Sequence, residues 1–259
     1  MTPVRRTALA FGLVLVAYVA FRLIGEPVEL EGVVKLGFWV GPSIFVLALM
    51  GPGTPNYEIR ALGLKSSPAV GYAFGLLAAL PTMVALPFTT MAPLSVIALI
   101  NGVVLGPFAE EVLFRGFLMR QLLASRWRPL LAAVASADAF GLAHLGNVNL
   151  ETWRGPIDGA MAVAMTTGGG LLLGWITLEW GSLWPAIGLH TFMNLSWQIF
   201  GVNDLTAGSQ GGAAASGSSV ANTARIATIV IAIALTVLRN RARARSLRAR
   251  GRVGNYQTG

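Results

Sequence analysis

The stretch Pro93–Met119, PLSVIALINGVVLGPFAEEVLFRGFLM, decides how this chain is read. It stays largely apolar up to Glu110-Glu111, and Arg115 follows one helical turn later. Charges within so apolar a run are costly in hydrocarbon and face a cavity or a partner. Two other apolar stretches carry polar constellations of their own: Phe140-Gly141-Leu142-Ala143-His144 and His190-Thr191-Phe192-Met193-Asn194. They hold both histidines of the chain. Glu110, Glu111, Arg115, His144, His190 and Asn194, spread over three apolar segments, read as one buried polar site.

The surrounding composition sets the environment. The 259 residues are 54% hydrophobic and only 12% charged, with a mean hydropathy of +0.66. A water-soluble domain carries about a quarter of its residues charged. Several runs approach the ~20 apolar residues that cross a bilayer as a helix. The runs are long and do not alternate, which favours helices over a barrel. The expected fold is all-α, a polytopic membrane protein of about eight transmembrane helices around a polar intramembrane cavity.

The eight candidate spans are Thr7–Ile24, Gly32–Met50, Ala69–Met91, Pro93 onward into the Glu-Glu motif, Pro129–Leu145, Gly159–Leu178, Leu183–Val202 and Thr223–Leu238. Residues 1–238 form one integral membrane domain, with a core at about 94–201, and 239–259 form a basic tail. The first run is long for a signal peptide and lacks a clear small-x-small cleavage site, so it is expected to remain as a helix. The Gly/Ser-rich Gly208–Ser219 is expected to be a loop.

Basic residues recur on every second boundary: Arg5 and Arg6, Arg60 and Lys65, Arg120 with Arg126 and Arg128, and the C-terminal arginines. This pattern puts both termini in the cytoplasm. The formal charge of +8 therefore points to topology and anionic lipid at the basic tail, not to nucleic acid. The absence of cysteine excludes disulfides, thiolate metal sites and a thiol nucleophile.

Glu111 and Arg115 are four apart with the acid N-terminal, the favourable order for an ion pair. Adjacent helical positions point about 100° apart, which leaves Glu110 as the acid without a helical partner and the candidate general base. Phe140 and His144 are one turn apart, so the ring can pack on the imidazole and fix its rotamer. His190 and Asn194 present two neutral donors on one face, which suits a developing oxyanion; an interhelical hydrogen-bonding pair is the structural reading of the same spacing. Asp138 either orients a histidine or pairs with an arginine. By helical rise His190 lies ~10 Å, Glu110 ~15 Å and His144 ~20 Å from the cytoplasmic edge, compatible with one pocket.

Glu-Glu-x-x-x-Arg, Phe-x-x-x-His and His-x-x-x-Asn, in this order on a multi-helix membrane chain, resemble the CAAX protease and bacteriocin-processing family. These are the Abi, or type II CAAX prenyl endopeptidase, intramembrane glutamic proteases. The resemblance spans about Leu94–Gly201. It implies an eight-helix fold around a cavity open to the cytoplasm, in a bacterial- or archaeal-type membrane. It also implies hydrolysis of a peptide bond in a membrane-associated protein or peptide, as in C-terminal CAAX processing, without a nucleophilic Ser or Cys; no cofactor and no metal are expected. Carried over by position, Glu110 and His144 activate water, His190 and Asn194 hold the oxyanion, and Glu111, Arg115 and Phe140 support the site.

Two other readings compete. A metal held by Glu110, His144 and His190 is an acceptable zinc set, although no helical His-Glu-x-x-His accompanies it. A non-catalytic protein, whether an immunity or partner-binding scaffold or a transporter with a proton relay, also buries Glu and His. A transporter more often shows paired halves with matching broken segments, and none are found.

Overall fold

A computed structural model describes residues 12, 63–64, 67–85, 96, 100–144, 156–200 and 212–254. Among them every regular element is helical and no strand occurs. The candidate spans Thr7–Ile24 and Gly32–Met50 lie outside the described residues, Gly12 excepted. The described parts of the other candidate spans fall in helices, with differences that trace to proline and to local winding.

The run beginning at Ala69 is not one helix but two in its described part, α1 (Pro68–Ala78) and α2 (Leu80–Ala85). Pro68 starts α1, where a missing N–H costs nothing. Pro81 lies just beyond the break at Ala79, as expected of a residue that cannot continue the hydrogen-bond ladder. Next comes α3, a continuous helix over 100–124 whose winding alternates. Ile100–Leu105 and Val112–Met119 are π-helical, while Gly106–Glu111 and Arg120–Ala124 are α-helical. Pro107 sits where the first wide turn tightens, and a widened turn accommodates the ring and its missing donor. Wide turns of this kind recur at functional sites.

Beyond α3 come α4 (Pro129–Ala143), α5 (Pro156–Trp180), α6 (Trp184–Phe200) and α7 (Gly212–Gly254). The expected loop at Gly208–Ser219 is helical from Gly212 onward, as the start of α7. The run Ala213-Ala214-Ala215 favours helix, and extending an existing helix costs far less than nucleating one. The basic residues from Arg239 continue the same helix.

Within α7, Asn222–Arg248 is long and apolar enough to cross a membrane, and it is the one such helix among the described residues. The helices α1 and α4 are apolar but shorter. Their outward faces are nevertheless greasy: Leu77, Leu130, Leu142, Ile226 and Val230 are 51–69% exposed. Contiguous apolar surface of this kind belongs against lipid or protein, not water.

Two close helix contacts set the interior. On α1, Gly71 and Gly75 are four apart and lie against the α6 backbone at Trp184 and Gly188, so close that a Cβ at Gly71, Gly75 or Gly188 would collide with main-chain atoms. Small residues at this spacing let membrane helices approach backbone to backbone. On the other side, Ala132, Ala133, Ala137 and Gly141 of α4 are buried, and Gly170 and Gly174 of α5 face α4 atoms.

The first contact holds α6 in register two residues from His190. Gly188→Val should therefore separate α1 from α6 and destabilise the protein by about 2 kcal/mol or more, the scale of core overpacking. Thermal unfolding in detergent tests this, and an unchanged midpoint would show that the backbones are not in contact.

Candidate functional site

The polar site forms where α3, α4, α5 and α6 meet. Arg115 and Glu111 are both fully buried, and Arg115 Nη1 donates to Glu111 Oε1 at 2.9 Å. The pair read from the i, i+4 spacing is thus made, even though Arg115 lies in a π-helical segment. Arg115 Nη2 donates to the carbonyl of Gly170 at 3.0 Å, and its guanidinium carbon lies 4.4 Å from the centre of the Phe140 ring. One carboxylate, one carbonyl and one aromatic face thereby surround the guanidinium. A side chain at 170 would press on Arg115 Nη2 and on Phe140, at 3.0 and 3.1 Å from a Cβ. The signal in the sequence is Gly168-Gly169-Gly170 inside an apolar helical run, since mid-helix glycine marks a close approach.

The structure corrects the separation of roles between the adjacent acids. Glu110 is not left apart: both carboxylates reach one imidazole. His190 Nδ1 lies 2.9 Å from Glu111 Oε1, and His190 Nε2 lies 3.4 Å from Glu110 Oε2. The two ring nitrogens point in different directions, so acids that diverge along α3 can flank a ring arriving from α6. A carboxylate already bound to Arg115 only accepts, so the imidazole presents N–H to Glu111.

His144 ends α4, and its Nδ1 lies 2.8 Å from the carbonyl oxygen of Phe140. A carbonyl can only accept, so Nδ1 carries the proton and Nε2 is the basic nitrogen. The imidazole stacks on Phe140 at 4.4 Å between ring centres, as the one-turn spacing predicts, and Phe140 meets His190 edge-on at 5.9 Å. Phe140 therefore stands against both imidazoles as well as Arg115.

Asn194 does not pair with His190. Its Nδ2 donates to the Gly102 carbonyl at 2.9 Å, in the first π-helical turn of α3. Asp138 is exposed on α4, in line with Leu130, Val134 and Leu142. Among the described residues it neither orients a histidine nor pairs with an arginine.

A cavity of about 670 Å³ opens beside this cluster, within the size range of ligand sites. Phe140, His144, His190 and Asn194 form part of its wall. The carboxylates adjoin the wall at His190 and are not themselves part of it; Glu110 is 3% and Glu111 0% exposed. The other walls come from α5 and from α2 and α7, where Thr82 and Thr228 hydroxyls meet at 3.1 Å. Sequence reasoning did not anticipate the contribution of α7. Among the described residues no group of three His, Asp or Glu side chains is arranged to hold a metal ion.

A helical protein with two buried acids on one imidazole, a second imidazole of fixed tautomer and an apolar cavity has the parts of a hydrolase with a desolvated site. Residues 92–196 match the family model described as type II CAAX prenyl endopeptidase Rce1-like, which supports the resemblance to the CAAX proteases over this segment. The match takes in most of α3 to α6 and leaves out α1, α2 and α7. The comparisons with curated proteins and with solved structures gave no match. The family is one of membrane-bound peptidases.

Proposed function

We propose that this protein is an intramembrane endopeptidase of the glutamic type that cleaves a peptide bond near the membrane-inserted end of a protein or peptide, as in CAAX-type processing. The observation that carries the reading is the meeting of Glu110, Glu111–Arg115 and His190 in one buried cluster whose His190 opens on the same cavity as His144. The family match supports a CAAX-type endopeptidase in general. The eight-span arrangement, with both termini in the cytoplasm, belongs to the same proposal.

In this reading Glu110 and His144 take the proton of an attacking water. His144 is suited to this because the Phe140 carbonyl fixes which nitrogen is basic. His190 and Asn194 stabilise the oxyanion that develops on the scissile carbonyl; for His190 this requires the N–H of Nε2, 3.4 Å from Glu110 Oε2, to turn from that carboxylate to the oxyanion. For Asn194 this requires an amide hydrogen directed into the cavity beside the bond to Gly102. Glu111 and Arg115 hold His190 in place, and Phe140 holds both imidazoles apart. A water beside a desolvated carboxylate needs no side-chain nucleophile. The proton lost by water passes to the leaving amine, which closes the balance.

The test is a membrane-peptide library offered to the reconstituted protein and read by mass spectrometry, with and without a strong chelator. Cleavage that persists with chelator, and that falls about a hundredfold or more in His144→Ala, is expected for a general base. Loss of cleavage on chelation would transfer the chemistry to a metal. No cleavage of any peptide by the wild type would favour the non-catalytic reading.

A further inference from the structure

Side chains from two other helices grip the backbone of α3 on either side of its acids. Ahead of them, Asn194 of α6 donates to the Gly102 carbonyl at 2.9 Å. Behind them, Ser136 of α4 donates from Oγ to the Phe114 carbonyl at 2.7 Å. Gly102 and Phe114 each lie in a π-helical segment, and the α-helical Gly106–Glu111 lies between the two. The hydrolytic scheme above uses Asn194 and gives Ser136 no part. Ser136 is fully buried, is not part of the cavity wall and belongs to none of the three motifs.

A serine within a helix often bonds back to a carbonyl of its own preceding turn. Ser136 instead reaches across to α3. Its buried neighbours on α4 include Ala132, Ala133 and Ala137, and alanine at 136 would let the helices approach as closely. The hydroxyl therefore adds a directed bond that packing does not require. That bond is to main chain, so it fixes backbone and not merely a side chain. Phe140 follows Ser136 by one turn, and its ring meets the Phe114 ring edge-on at 5.2 Å. Thus α4 holds Phe114 at both its carbonyl and its ring. Phe114 in turn follows Glu110 by one turn and adjoins Arg115.

Extended π-helical winding is rare, and an uncommon backbone persists where its surroundings over-determine it. Rewinding Val112–Met119 as α-helix would change the azimuth of Arg115 relative to Glu111. It would also disturb the contacts of His190 with Glu111 at 2.9 Å and with Glu110 at 3.4 Å. We infer that Ser136 is a positioning residue: its hydroxyl, through the Phe114 carbonyl, keeps α3 in the winding that sets Glu110 and Glu111 against His190. The inference rests on the peptidase reading and adds a residue that never touches the substrate. Hydrogen bonds between membrane helices are individually weak, so the effect falls on placement more than on folding. Misplacement of a reacting group by about 1 Å can cost about a hundredfold in rate.

Ser136→Ala tests this, since it keeps the packing and removes only the hydroxyl. Thr236→Val is the control: it removes another fully buried hydroxyl, one that accepts from Trp180 at 3.3 Å between α5 and α7. Both variants and the wild type are reconstituted at full length. Steady-state kinetics are measured on a peptide that the wild type cleaves, and amide hydrogen exchange is followed by mass spectrometry over residues 106–119. Ser136→Ala should lower kcat about tenfold or more with KM little changed, the pattern of a lost placement and not of lost substrate binding. Exchange over 106–119 should quicken roughly threefold or more, the equivalent of one interhelical hydrogen bond. Thr236→Val should leave kcat and this exchange as in the wild type. Wild-type kcat in Ser136→Ala, unchanged exchange over 106–119, or equal effects from Thr236→Val would each overturn the assignment. Failure of the peptidase reading is seen separately, as absence of cleavage by the wild type. Exchange in Ser136→Ala then still decides whether the hydroxyl holds α3: quickening sustains that hold, and no change overturns it.

Discussion

Glu110→Gln should reduce turnover by roughly a thousandfold, within the range that a positioned general base contributes, while leaving the fold in place. The substitution keeps the size of the side chain and a hydrogen-bonding group facing His190 Nε2, now 3.4 Å from the carboxylate. What it removes is the basic oxygen. Stability should be little changed, because Glu110 is one of two acids on the same imidazole and the other keeps its arginine. Glu110→Asp separates basicity from placement: the carboxylate remains but is drawn back toward α3, and misplacement on the scale of an ångström can cost a hundredfold. Initial rates on any cleaved peptide, with melting temperatures of the same preparations, decide the matter. Full turnover by Glu110→Gln would remove it as the base and leave His144 to act alone.

The second large effect is on stability. Arg115 and Glu111 are both fully enclosed, and each is the other's charge partner. Removing one partner of such a pair strands the other and costs about 3–5 kcal/mol, whereas replacing both is often neutral. Arg115→Met should therefore lower the melting temperature by roughly 10 °C, using the usual conversion for a chain of this size. It also removes the side-chain donor of the 3.0 Å bond to the Gly170 carbonyl and a cation from the face of Phe140. Glu111→Gln should cost a similar amount and should in addition loosen His190, whose Nδ1 it holds at 2.9 Å. The double variant should recover much of the stability but not the activity. A double-mutant cycle in detergent measures the coupling. If both single variants melt within a degree of the wild type, the two charges are not buried together.

These two results would separate functions that lie one residue apart. Glu110 should behave as a chemical group whose loss spares the fold, and Glu111 as a structural charge whose loss does not. The third adjacent feature, Asn194, bears on the same distinction. Its bond to Gly102 ties α6 to the wide turn before the acids, so it serves placement of α3 as well as any oxyanion.

Composition and spacing were sufficient for much of this. The hydropathy of the chain made a helical membrane protein the expected class, because hydrocarbon leaves the backbone few ways to satisfy itself. The i, i+4 offset of Glu111 and Arg115, and of Phe140 and His144, put each pair in contact, because a helix fixes such neighbours locally. The order of three motifs was enough for the family resemblance.

What sequence could not supply were relations between helices. Nothing local shows that an imidazole from α6 lies between two adjacent acids of α3, that the Phe140 carbonyl selects the tautomer of His144, or that Asn194 reaches Gly102. Nor does the sequence show that Asp138, though within an apolar run, faces outward. No motif in the sequence marks Arg225, which only packing sets beside the cavity. Side-chain periodicity is a property of one helix, whereas azimuth and height between helices depend on how closely their backbones approach. Here that approach is set by glycines at 71, 75, 170 and 188, whose lack of a side chain carries meaning only once the opposing surface is known.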